Sequence, residues 1–306
     1  MRQLKGVIVS PAIYERRGLK RDEALFARLC EKYNFVSVYS DSPDLEGYDV
    51  AMIKATPYHN RPNIPSGLLE TKCKLIGYFV DLQCWNNAKC ERNRELLFDK
   101  YDILIGTYYE KFQEWYPQYW EKYIHFPDFF APYERFSELS INSNPIMKCL
   151  MSGARNTRAY PFRAYVAQKC KRAACGHLIQ MSRGVPFTKY PSYLNRYFCA
   201  LALAGVHDVP VSKYFEIPAA NVLMLARRTK ELDLCGFEPD VHYVPVTKKN
   251  VFGQIKKVLS SPDDYLAIRQ SGTDFVLKNH SEINRAKIFK DVFNRLFIKG
   301  HERLSR

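Results

Sequence analysis

The 306 residues are 46% apolar and 14% aromatic, enough to bury one large core or two of ordinary domain size. No apolar run reaches the ~18 residues that span a bilayer, and the first residues lead into a strand-like run without an apolar leader, so a cytoplasmic protein is expected, without a transmembrane segment and at most peripheral to a membrane. Nine cysteines, an odd number without a Cys-x-x-Cys pair, read as reduced thiols, which speaks against a disulfide framework and against a zinc site.

Net charge is +14 and unevenly spread: residues 1–144 hold 19 Lys and Arg against 20 Asp and Glu, leaving 27 against 12 for residues 145–306. A basic half points to an anionic ligand, nucleic acid or an anionic membrane surface, or to a solvated face. In chain order, short runs rich in Val, Ile, Leu and aromatics fall at 4–10, 35–40, 49–55, 75–80 and 103–107, with helical patterns over 22–33 and 88–100 between them. Continuous apolar strands separated by helices predict a parallel sheet covered on both faces. Segment 108–123, with Trp115, Tyr116, Tyr119 and Trp120, reads either as the lining of an acceptor site or as an aromatic stripe packed into a core. Periodicity fails over 127–144, where prolines, Ser and Asn predict a linker. A second series follows at 146–152, 177–181, 199–204, 222–225 and 243–246, with helices between these strands and after Lys248. The fold class is therefore α/β: two Rossmann-like doubly wound parallel-sheet domains, residues 1–144 and 145–306, with ligands expected at the strand C-terminal ends facing a cleft.

The second series opens like a phosphate site. Its first strand ends in Ser152-Gly153-Ala154-Arg155-Asn156, and a helix is predicted to start at Tyr160-Pro161-Phe162-Arg163. Gly153 permits close backbone approach, a helix N-terminus offers N–H groups and a positive dipole, and Arg155 or Arg163 adds charge towards a pyrophosphate. A plain strand-to-helix turn carrying surface arginines fits the same residues. No Gly-x-Gly-x-x-Gly, Walker loop or kinase signature occurs, which argues against a standard NAD or ATP enzyme. Further on, residues 211–225 place Glu216 in a short helix that runs into an apolar strand. A carboxylate held there suits hydrogen bonds from both hydroxyls of a ribose, although a solvated Glu satisfies the same pattern.

Several of these residues, taken in order, resemble a family. Ser152-Gly153, Tyr160-Pro161-x-Arg163, Tyr193-Leu194-Asn195-Arg196, Lys213-Tyr214-Phe215-Glu216-Ile217-Pro218-Ala219 and His280-Ser281-x-x-x-Arg285 together resemble the C-terminal domain of CgeB-like, group 1 glycosyltransferases of the GT-B architecture, over residues 145–295. The first half matches only through 77–81 and 101–105. The resemblance implies transfer of a sugar from a nucleoside-diphosphate sugar, a uridine one by family habit, to an acceptor hydroxyl, without metal or other cofactor. Carried over by position, Gly153, Arg155, Asn156 and Arg163 serve the diphosphate, Lys213 and Tyr214 approach donor oxygens, and Glu216 holds the ribose. The family's first acidic residue falls on Asp208, for which a solvated loop acid is the plainer account.

An inverting transferase needs a base for the acceptor hydroxyl, and Asp81, ending a predicted strand, is the first candidate, followed by Asp22 and His125. A retaining one can do without. The acceptor is a glycan or lipid-linked sugar, or, in a phage-type alternative, hydroxymethylated bases of DNA. A third reading is an inactive nucleotide-sugar or nucleic-acid binding protein.

Overall fold

The structure, a computed structural model, describes residues 4–12, 22–55, 68, 70–79, 82, 88–127, 130–172 and 175–302. The chain forms two compact units, residues 1–128 with 285–306, and residues 129–284.

In the first unit, β1 (Gly6–Ser10), β2 (Phe35–Tyr39), β3 (Val50–Ala55), β4 (Lys74–Phe79), β5 (Ile103–Gly106) and β6 (Tyr123–His125) make one sheet in the order β2-β1-β3-β4-β5-β6. All its pairings are parallel. β1 and β5 are buried along their whole length, as expected of strands covered on both faces. Helix α1 (Glu23–Tyr33) turns Leu25, Phe26 and Leu29 inward and ends at Asn34, whose φ of 56° takes the left-handed conformation that closes many helices. α2 (Ala88–Lys100) contributes Phe98, and α3 (Tyr109–Trp115) contributes Phe112.

The second unit begins with the single turn α4 (Tyr133–Phe136). It continues through β7 (Ile146–Ser152), α5 (Pro161–Arg172), β8 (Ile179–Ser182), α6 (Tyr190–Asn195), β9 (Tyr197–Ala202), α7 (Lys213–Ala219), β10 (Leu223–Ala226), α8 (Lys230–Leu234), β11 (Val244–Pro245), α9 (Val251–Ser260) and α10 (Leu266–Asn279). Its sheet is parallel in the order β11-β10-β9-β7-β8. One face is covered by Phe162 and Val166 of α5 with Val251, Ile255 and Val258 of α9. The other is covered by Phe215 and Ile217 of α7 with Val276 of α10.

Both sheets are wound alike. The second strand lies on one side of the first and the third on the other, so the winding reverses between β1 and β3 and again between β7 and β9. At such a reversal the loops leaving the two strands part in opposite directions and open a crevice at their carboxyl ends.

Two sequence expectations need adjusting. β6 is a three-residue edge strand, too short for a periodic signal, that begins at the last residue of the aromatic segment. The domain boundary lies at 128/129, so the stretch read as a linker packs with the second unit, and the chain from Arg285 returns to the first. The cause is aromatic packing by the last helix, α11 (Glu282–Glu302): Phe293 stacks on Phe35 at 5.4 Å and meets Tyr33 at 4.9 Å, and Phe289 meets Phe126 at 5.3 Å. Arg295 donates to the Tyr123 and Glu121 carbonyls, so the basic tail is partly structural.

Candidate functional site

In the second unit, Arg163 ties together the loops that leave β7 and β9 at the winding reversal. From the first turn of α5, its Nε and Nη2 donate to the Leu203 carbonyl at 3.1 and 2.7 Å, and its Nη1 reaches the Ala154 carbonyl at 3.5 Å. The guanidinium lies 4.0 Å from the centre of the Tyr160 ring. Burial lowers its pKa, and with most of its donors committed to carbonyls it offers a ligand chiefly charge.

Gly153 follows β7 with φ of +96°, where a side chain would be strained, and its N–H donates to the Ser182 carbonyl at 3.2 Å. A Cβ there would stand 3.4 Å from Arg163 Nη1 and from Lys213 Cε and Nζ, so the glycine marks where these two cations converge. Lys213, the first residue of α7, is largely buried, with its ammonium 5.8 Å from the Tyr190 ring centre and no hydrogen-bond partner among the described residues. Burial pushes its pKa down, Glu216 pulls it up and Arg163 pushes it down again.

Glu216 lies one turn along α7 and is only 7% exposed, yet its carboxylate accepts no hydrogen bond among the described residues. Buried carboxylates are ordinarily hydrogen-bonded or paired, because dehydrating the charge is costly. What surrounds Glu216 is charge and hydroxyl: its field acts on Lys213, on Arg135 and on Tyr190. Tyr190, whose pKa is raised first by burial and then by Glu216, shares a 2.5 Å hydrogen bond with Ser152 Oγ at the end of β7. Arg135, on α4, donates from Nη2 to the Phe187 carbonyl and stacks 3.6 Å from the Phe187 ring centre. Its Nη1 is buried without a hydrogen-bond partner among the described residues. The arrangement sets the Lys213 ammonium and the Arg163 guanidinium against a glycine at a sheet's winding reversal, with the Glu216 carboxylate one turn along α7 from the lysine.

The structure therefore brings together Gly153, Arg163, Lys213 and Glu216 of the residues expected from sequence. It sends others elsewhere. Tyr214 is fully buried, and its hydroxyl donates to the Arg227 carbonyl at 3.0 Å, so it anchors α7 in the core instead of approaching a ligand. The N–H groups of Tyr214, Phe215 and Glu216 are taken by the Val211 and Ser212 carbonyls, which leaves the charge of Lys213, not free amides, to meet an anion at this end of α7. Asn156 shapes the turn into α5, its Oδ1 accepting from the Ala159 N–H at 2.6 Å. Arg155 lines an open cavity of about 620 Å³ with Thr157, Tyr165 and Lys171, which none of the four convergent residues lines.

Asp208 is a loop acid with a left-handed φ of 60°, its side chain 42% exposed and paired with Arg227 at 2.8 Å. Asp81 lies outside the described residues. Asp22 is 1% exposed and ion-paired to Lys54 inside the first unit, which removes it as a base. His125 ends β6 as a neutral imidazole, its pKa lowered to about 4 by burial and by Arg285 against a hydrogen bond to the Thr107 backbone. Its Nε2 is buried without a hydrogen-bond partner among the described residues. In the aromatic segment, Phe112 stacks on Tyr123 at 3.8 Å and Tyr116 and Tyr119 are buried, so most of that stripe is core.

Sequence reasoning missed Arg135, Phe187 and the Ser152–Tyr190 pair. Only the sheet order could have found the last two: β8 neighbours β7, so the loop leaving β8 opens beside Ser152.

Two parallel-sheet α/β units with this winding define the class, the GT-B fold of glycosyltransferases. Residues 149–291 match the family model described as glycosyl transferase-like. No curated protein matches the chain. Among solved structures, a glycosyltransferase from Rickettsia africae superposes with a TM-score of 0.64 at 10% identity, covering 97% of this chain and 99% of that one. Sucrose-phosphate synthase from Thermosynechococcus elongatus gives 0.65 at 11% identity, over 97% and 100%. HepE from Anabaena, solved with UDP and glucose, gives 0.59 at 9% identity, over 95% and 99%. At these identities the likeness is one of fold.

Proposed function

We propose that the protein moves a sugar from a nucleoside-diphosphate sugar to an acceptor hydroxyl, as a CgeB-like group 1 glycosyltransferase. The observation that carries this reading is the buried Glu216, which accepts no hydrogen bond among the described residues, one turn of α7 from Lys213, whose ammonium stands beside Gly153 with no hydrogen-bond partner among the described residues. A ribose diphosphate supplies what both lack: two vicinal hydroxyls to donate to the carboxylate, and an anion for the ammonium. Uridine donors come first, in keeping with the fold neighbour HepE, solved with UDP-glucose.

In the reaction the bond from the anomeric carbon to the diphosphate oxygen breaks, the acceptor oxygen bonds to that carbon, and the acceptor proton departs to a base or to the leaving group. Negative charge grows on the diphosphate, and Lys213 with Arg163 stabilises it. Asp81 is the proposed base of an inverting reaction. The donor site is proposed to work without a metal ion, the acceptor is a glycan or lipid-linked sugar, and the setting is the cytoplasm.

A thermal-shift screen across uridine, guanosine and cytidine diphosphate sugars tests the reading. A ligand at 100 times its Kd stabilises the folded state by about 2.7 kcal/mol, easily read as a shift in Tm. The uridine series should shift wild type and not Glu216→Gln, with turnover surviving EDTA; no shift with any donor would refute a donor site, and strict metal dependence would refute the leaving-group assignment.

A further inference from the structure

We propose that Phe187, backed by Arg135, is the stacking platform for the donor's nucleobase. The inference rests on Glu216 holding the donor ribose, and it assigns a specificity element in a loop that no sequence motif marks.

Phe187 is 44% exposed, in the loop that joins β8 to α6. A single exposed aromatic is ordinary. This one differs in being fixed from behind. The Arg135 guanidinium lies 3.6 Å from the ring centre, and the same guanidinium accepts no freedom of its own, because Nη2 is bonded to the Phe187 carbonyl. The loop is held at both sides as well: Lys189 N–H donates to the Pro186 carbonyl at 3.0 Å, and Tyr190 grips Ser152. A ring held in one orientation has already lost the entropy that stacking would otherwise cost.

The position follows from the loop's neighbours. Tyr190, three residues on from Phe187, bonds Ser152 Oγ at the end of β7, and its ring centre lies 5.8 Å from the ammonium of Lys213, one turn of α7 from Glu216, whose charge also acts on Tyr190 and Arg135. A base is joined directly to its ribose, so a flat apolar surface next to the group that holds the ribose is where a planar ring arrives. With the cation held against it and 44% of the residue exposed, the Phe187 ring has open surface for a planar base.

The test is UDP binding to the full-length protein by calorimetry, with wild type, Phe187→Ala, Phe187→Trp and Glu216→Gln, together with proton spectra of bound UDP. Losing one base–aromatic stack should weaken UDP roughly ten- to hundredfold in Phe187→Ala, while Phe187→Trp stays near wild type. The uracil H5 and H6 signals should move upfield on binding to wild type and to Phe187→Trp. UDP affinity unchanged in Phe187→Ala, equal losses in the Ala and Trp variants, or uracil signals that do not move on binding to wild type would overturn the platform. Wild type that binds no UDP, or Glu216→Gln that binds it normally, would overturn the ribose reading and the platform with it. UDP binding that needs Glu216 but ignores Phe187 overturns the platform alone.

Discussion

Replacing Glu216 by Gln should separate what the site needs from what the fold needs. The side chain is 7% exposed and accepts no hydrogen bond among the described residues, so the fold gains little from its charge beyond the attraction to Lys213. The amide has nearly the same shape and no charge to dehydrate. The apo variant should therefore match or exceed wild type in Tm, apart from the lost attraction to Lys213. Donor affinity should move the other way. A carboxylate accepting from two ribose hydroxyls makes charge-assisted bonds worth about 1.5–3 kcal/mol, so UDP should bind roughly ten- to hundredfold more weakly. Calorimetric titration with UDP and a thermal melt of the apo protein give both numbers on one preparation. A folded variant with unchanged UDP affinity would refute the ribose assignment, and a loss of several kcal/mol in apo stability would show that the carboxylate is paired within the fold after all.

Three further outcomes are expected. Lys213→Met should weaken UDP more than uridine, and because burial holds the Lys213 pKa below its ordinary 10.5, wild-type UDP binding should fall as pH rises through that lowered value while the variant stays flat; parallel pH curves would count against a role for the ammonium. His125 is neutral in the fold down to about pH 4 but titrates at 6.5 when unfolded, so stability present above 6.5 is lost as pH falls towards 4. That loss is on the order of 3 kcal/mol, and a His125→Gln variant with an undiminished acid slope in urea melts between pH 7 and 4 would refute it. Neutralising the exposed Lys248, Lys249, Lys256 and Lys257 together should lower the salt dependence of binding to anionic vesicles or duplex DNA by about one unit of log–log slope per lost contact, with UDP binding constant; wild type that binds neither at low salt makes these lysines a solvated face.

The strands, their parallel pairing and the heart of the site were legible because each rests on a local pattern. Runs of buried-strand composition announced the sheets, and Gly153, Lys213 and Glu216 each stand in a short segment whose chemistry is complete by itself. What was not legible depends on phase or path. Lys213 and Tyr214 are neighbours in sequence, yet about 100° apart around a helix, and only the packed position of α7 decides which faces the glycine and which the core. Arg135 reaches the site because the segment after the first unit folds back onto the second, a choice no periodicity records. The last helix is amphipathic and basic, and its sequence would suit a seat on either sheet; the aromatic partners Phe35 and Phe126, far away in the chain, settle which.

Since residues 285–306 complete the unit that residues 1–128 begin, the second unit is an insertion between two parts of the first. On the ribosome the first unit's sheet must wait for α11, its Tyr33, Phe35 and Phe126 surfaces lacking their partners while all of 129–284 is synthesised and free to fold. Cutting the chain in its middle therefore cannot yield two halves. The separable piece is the inner one, and an engineered N-terminal half would need α11 joined back on by a short linker before it could hide its aromatic face.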